Sequence, residues 1–179
     1  MRLKKRDDGK KSGDAYIDIW VEINEKVYPI ELKYKTIQCS ITDGSEEYKL
    51  KQHGASDIGC YLYLKDVERI EHISKSLDDN FGKGYAIMLT NDHLYWDKPK
   101  TTPDTTAFRD FRIYDGRTIP TGQNLDWHPS SNNQPAWQKE LRKLNDNYII
   151  KWGDYSNFNK EGEANGQASP FKYTIIEIN

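Results

Sequence analysis

Apolar and polar residues alternate with a period of two from Tyr16 to Lys35. That spacing predicts two β-strands, broken at Asn24-Glu25 into a hairpin. A tight turn there sets Ile23 opposite Lys26, Asp18 opposite Glu31 and Tyr16 opposite Lys33. The other face would pair Ile17 with Leu32, Ile19 with Ile30 and Val21 with Tyr28, an apolar surface suited to burial. A slip of one residue would push the acids into that surface, so the pattern specifies its own register. Asn-Glu is not the favoured Asn-Gly turn. A four-residue loop from Ile23 to Lys26 would keep the pairing, whereas a three-residue loop would need a bulge.

Further elements follow from the same reading. Met1 to Arg6 is a candidate first strand, turned at Asp7-Asp8-Gly9. Thr36 to Lys51 is polar and reads as loop. Gln52 to Leu77 predicts a long helix: Tyr63, Val67, Ile70 and Leu77 keep helical spacing, Ile58 and Leu62 widen the apolar side, and Asp57, Tyr61, Lys65, Arg69 and His72 form the polar side. Gly82-Lys83-Gly84 ends that region, and Tyr85 to Thr90 is a short apolar run typical of a buried strand. Residues 91–138 are rich in Pro, Thr, Asn and Asp. A short helix is expected from Gln134-Pro135 through Leu144, then strands at Tyr148–Trp152 and Phe171–Ile178, with a Gly/Asn-rich loop between them.

Composition narrows the class. A chain of 179 residues suits a single domain, 1–179, with a real core. Its hydrophobic content is 36%, but 12% is aromatic, with 12 Tyr and 5 Trp, which favours a strand-rich fold over disorder. A net charge of −2 does not mark a global nucleic-acid binder, yet six of the first eleven residues are Lys or Arg. No apolar run approaches membrane-spanning length, and the basic N-terminus lacks the apolar segment of a secretory signal. Cys39 and Cys60 form no disulfide framework, so a reducing, cytoplasmic setting is expected. His53, His72, His93 and His128 lack zinc-site spacing. Trp96, Trp127 and Trp137 are candidates for base stacking, or for ordinary packing of a long loop.

The hairpin carries the chemistry. Directly opposed Cβ atoms lie roughly 5 Å apart, so Asp18 and Glu31 are placed to share a divalent cation, and Lys33 projects from the same face as Glu31. Two acids and a lysine at one spot are the minimum apparatus for metal-assisted phosphodiester hydrolysis. The ordinary alternative is a solvated strand face, where such alternation is common.

Asp18 on one strand, Glu31-Leu32-Lys33 on the next, a helix and then a buried strand: this order resembles the PD-(D/E)XK nuclease superfamily. Within it the likeness is to bacterial nuclease-like proteins, through Asp18-Ile19-Trp20, the strand Ile30–Lys35, and the helix Ala55–Glu71 with Asp57, Tyr61, Asp66, Arg69 and Glu71. It covers about residues 13–92, leaving 93–179 as an elaboration. The resemblance implies an α/β (α+β) restriction-endonuclease-like core, a mixed central sheet flanked by helices, with extra C-terminal strands. It implies Mg²⁺, with Mn²⁺ as a substitute, held by Asp18, Glu31 and the carbonyl of Leu32, and DNA as substrate. Lys33 would orient or help deprotonate the attacking water; flanking carboxylates favour an electrostatic role over a general base. Lys35, Arg69 and Gln52 are candidates to contact the nucleic acid, with Asp57 and Tyr61 supporting the site from behind. An ordinary surface or helix-stabilising role is the alternative for these residues. Two departures stand out. The family's first core helix has no counterpart, so the chain would be the C-terminal part of a longer protein, or another segment would fill the gap, or a homodimer or partner chain would supply it; and Cys60 stands where relatives tend to carry a basic residue. A non-catalytic binding module with the same fold is the second functional reading.

Overall fold

A computed structural model describes residues 16–43, 45–128, 142–157, 164–165 and 170–179. The proposed strand at Met1–Arg6 lies outside these residues. The hairpin forms as the alternation predicts: β1 (Ile19–Ile23) pairs antiparallel with β2 (Lys26–Lys35), with Ile19 opposite Ile30, Val21 opposite Tyr28 and Ile23 opposite Lys26. Asn24 and Glu25 both take positive φ, 48° and 65°. That is the backbone of a type I′ turn, whose twist matches the flanking strands even without the favoured glycine.

Two further strands form a second hairpin, β3 (Cys39–Asp43) and β4 (Glu46–Leu50), where the sequence read as loop. Helix α1 (Ser56–Leu77) starts four residues later than expected. Strand β5 (Gly84–Thr90) then runs parallel to β2, so the whole stretch between them is a crossover. Short two-residue strands follow: β6 (Thr118–Ile119), β7 (Asn124–Leu125), β8 (Arg142–Lys143) and β9 (Tyr148–Ile149). The chain closes with β10 (Trp152–Asn157), β11 (Ala164–Asn165) and β12 (Pro170–Ile178). The expected helix ending at Leu144 is corrected at its end, since Arg142–Lys143 is strand paired to Asn124–Leu125; its earlier part falls outside the described residues.

The central sheet is mixed and five-stranded, ordered β1-β2-β5-β12-β10. The fold is therefore α+β with one long helix among the described residues, and no helix there is long and apolar enough to cross a membrane. Helix α1 covers one face of the sheet. Tyr61, Tyr63, Leu64, Val67 and Ile70 on α1 pack with Ala86, Met88, Ile176 and Ile178 of the sheet. The same cluster takes in Phe111, Ile113, Ile119, Leu125, Leu144 and Ile150, so the late segments bury the far side of the helix. Buried Glu71 fixes this arrangement, accepting from the backbone and side-chain nitrogens of Asn145 and from the Tyr148 hydroxyl at 2.7–3.0 Å.

Gly59 of α1 packs directly on Tyr95. A Cβ built there would sit 2.1 Å from the hydroxyl oxygen of buried Tyr95. Gly59→Ala is expected to cost about 2 kcal/mol through overpacking, read as a lower urea midpoint with an unchanged slope; an unaltered midpoint would show that Tyr95 yields freely.

One expectation is reversed. The apolar face of the hairpin was read as buried, yet Leu32 and Tyr34 are exposed, while Val27, Pro29 and Glu31 are buried. The reason lies across the sheet. β5 and β12 present small or apolar residues, Gly84, Ala86, Met88, Thr174 and Ile176, on the side that bears Glu31, and α1 packs there. The helix brings its own charges to meet those of the strand. Apolar alternation alone cannot say which face a helix will choose.

Candidate functional site

The backbone ladder of the first hairpin is bonded as far as Ile19. Beyond it Asp18 continues the contact with its side chain, Oδ2 accepting the Leu32 N–H at 2.8 Å. Its carboxylate is thereby held against β2 beside Glu31, as the register required. Glu31 is buried, and its Oε1 accepts from Nη1 of Arg69 on α1. The same guanidinium reaches the Tyr16 carbonyl at 3.4 Å and, through Nη2, Asp66 Oδ1 at 3.4 Å. Lys33 Nζ lies 2.8 Å from Asp66 Oδ2. Two strands and one helix thus bring together three carboxylates and two cations.

The balance of charge is uneven. Burial pushes the Glu31 carboxyl up from 4.5 to about 7; Arg69 opposes that rise, and Asp66 and Asp18 add to it. Burial likewise raises Asp66, against the pull of Lys33 and Arg69 and with a further push from Asp18. For Glu31 and Asp66 the dry surroundings disfavour the anion, and the cations beside them offset only part of that.

Asp66, named in the sequence only as part of the helix that carries the resemblance, proves to be a member of the site. Its signal was present: it stands three residues after Tyr63 and four before Ile70, inside the apolar stripe of α1. A charge at that phase of a buried helix must meet a partner, and Lys33 and Arg69 are those partners.

Other expected residues fall elsewhere. Lys35 lies two residues beyond Lys33, half-buried at the end of β2 opposite Thr90. Gln52 is exposed, its Oε1 accepting the Gln38 N–H at 3.1 Å between the two hairpins. Asp57 sits in the first turn of α1, about 13 Å of helix rise from Asp66. Tyr61 is corrected from the polar side of the helix to the core. It is fully buried against Phe111 and Trp127, and its hydroxyl accepts from Arg142 at 2.7 Å. Arg142 also pairs with Glu68 at 2.7 Å, so Tyr61 belongs to a contact that fastens β8 to α1. Trp127 is buried and half-buried Trp96 packs on Trp152, the ordinary packing of the two readings; Trp137 lies outside the described residues. His93 pairs with Asp97, and His53 accepts the Thr36 N–H.

The donor set suits a hard divalent cation of the magnesium type. Among the described residues no group of three His, Cys, Asp or Glu side chains is placed to hold a metal ion. Two carboxylates with a backbone carbonyl and waters is the arrangement that Mg²⁺ favours. The bonds above use Asp18 Oδ2 and Glu31 Oε1, and leave Asp18 Oδ1, Glu31 Oε2 and the Leu32 carbonyl to serve as ligands. Compared with known proteins, the chain matches no family model, no curated protein and no solved structure.

Proposed function

We propose that this protein is a Mg²⁺-dependent nuclease that hydrolyses phosphodiester bonds of DNA, built on a restriction-endonuclease-like core. The observation that carries this reading is the cluster where β2 meets α1: buried Glu31 beside Asp18, joined through Arg69 and Asp66 to Lys33, with burial pushing the Glu31 carboxyl up to about 7. A strained carboxylate at a polar crossing of strand and helix is a costly feature for mere structure. The element order supports the same reading: an antiparallel hairpin bearing the acids, a helix, and a strand parallel to the second hairpin strand.

Asp18, Glu31 and the Leu32 carbonyl would hold the cation. Bound there, Mg²⁺ would acidify a water and offset charge on the scissile phosphate. Lys33 would stabilise the charge that develops on the phosphate oxygens. Asp66 positions the Lys33 ammonium, and Arg69 fixes the Glu31 carboxylate while the cation is away. Lys35, next along the strand, would guide the phosphate backbone.

The test is cleavage of duplex DNA in Mg²⁺ or Mn²⁺, with single-stranded DNA and RNA as comparison substrates. Wild-type protein should cut, and chelation or Asp18→Asn should stop it. Cutting that persists in Asp18→Asn at the wild-type rate would defeat the proposal. The competing reading, a non-catalytic binding module, draws on the Arg69–Glu31 ion pair, which compensates the carboxylate without any metal. It predicts that wild type and Asp18→Asn bind the same partners and cut nothing.

A further inference from the structure

We propose that the open face of the central sheet is a self-association surface, against which a second copy of this chain packs face to face. The face opposite α1 carries Ile19, Leu32, Tyr34, Tyr155, Tyr173 and Ile175, between 37% and 67% exposed. Register makes them contiguous: Leu32 lies beside Ile87 and Ile87 opposite Ile175, with Tyr34, Leu89 and Tyr173 as the next row. These side chains offer on the order of 700 Å². A typical monomer's largest apolar patch is roughly 300–600 Å², and a standard interface takes roughly 800 Å² from each partner. Area alone therefore sets this face at the scale of a stable dimer.

The chain itself has little with which to cover it. Outside the described residues its large apolar side chains are Met1, Leu3, Trp137, Leu141 and Phe158, scattered over separate segments. Charge favours a copy of the same surface. The middle rows are uncharged, and the charges on this side stand toward the hairpin turn, where Glu177 pairs with Lys83 and Lys26 bonds the Asp79 carbonyl. A neutral apolar face meets its own image without like-charge repulsion, and two-fold pairing is the commonest closed arrangement. Sheets pack face to face at about 10 Å through interdigitated side chains. One end supplies a hole for such a knob: a groove of about 290 Å³ walled by Tyr34, Leu89, Tyr155 and Phe171, with Ile41 and Leu50 of the second hairpin across from them.

Sedimentation velocity on the full chain from about 5 to 200 µM covers the affinity range of such an interface. Wild type should sediment at twice 20.9 kDa over the upper part of that range. Ile175→Glu should weaken association about a hundredfold or more by burying an unpaired charge, while its far-ultraviolet circular dichroism stays that of the wild type. Tyr34→Glu, on a different strand, carries the same test should Ile175→Glu not fold. A wild-type chain that stays monomeric throughout would overturn the proposal and turn attention to a different occupant. A dimer that either folded variant leaves intact would overturn it as well.

Discussion

Glu31→Gln is expected to make the protein more stable above neutral pH and inactive as a nuclease. The folded-state carboxyl ionises near 7 and the unfolded one near 4.5. A raised carboxyl pKa means that the folded chain holds more protons than the unfolded chain between those values. Wild-type stability is then full below the unfolded pKa and falls as pH climbs through the folded one. At about 1.4 kcal/mol per pH unit, the loss amounts to about 3 kcal/mol by pH 8. Glutamine keeps the shape and carries no charge to desolvate, so the variant should gain about 2–3 kcal/mol near pH 8 and little near pH 4. Urea unfolding at the two pH values reads this directly. Cleavage should vanish, since an amide is a poor ligand for Mg²⁺ in place of a carboxylate. A variant less stable than wild type at pH 8 would mean that Arg69 holds Glu31 favourably, and that no cation is needed there.

Lys33→Ala separates chemistry from architecture. The substitution takes the ammonium from 2.8 Å beside nearly buried Asp66, leaving that carboxylate with the longer Arg69 contact. The proposed role of Lys33 is to stabilise transition-state charge, so cleavage should fall by about 10³-fold. Binding of Mn²⁺ should persist, because Lys33 is no ligand. Stability should fall too, and Asp66→Asn added to Lys33→Ala should restore it by removing the orphaned acid. Activity should not return with it. Recovery of both together would make Lys33 a structural ion-pair partner and nothing more.

The hairpin, its turn position and its register were legible because period-two alternation over twenty residues admits few alternatives. The middle of α1 was legible for the same reason, at period 3.6. The second hairpin was not. Cys39, Ile41, Tyr48 and Leu50 alternate, but over strands of five residues set among charged neighbours, and they find their burial against Phe171, over 120 positions later. Long-range burial of that kind leaves little local trace. The inverted hairpin faces have a similar cause, since the deciding residues lie on β5 and β12. Tyr61 misled because its phase on α1 is polar by the stripe of Tyr63, Val67 and Ile70. The helix is in fact covered on two sides, by the sheet and by the segments around Phe111 and Leu125. Asp18 lies against β2 beside Glu31, while Lys33 joins them through Asp66 and Arg69, a link that required the helix to be placed against the sheet.

Calorimetric titration of Mn²⁺ at about pH 6 and pH 8 shows whether Asp18 and Glu31 together form a cation site. One site per chain is expected. Binding should weaken about tenfold per unit of pH below 7, with release of the Glu31 proton. It should be absent in Asp18→Asn and in Glu31→Gln. Binding of equal strength in wild type and both variants, or none in any of them at millimolar metal, would contradict it.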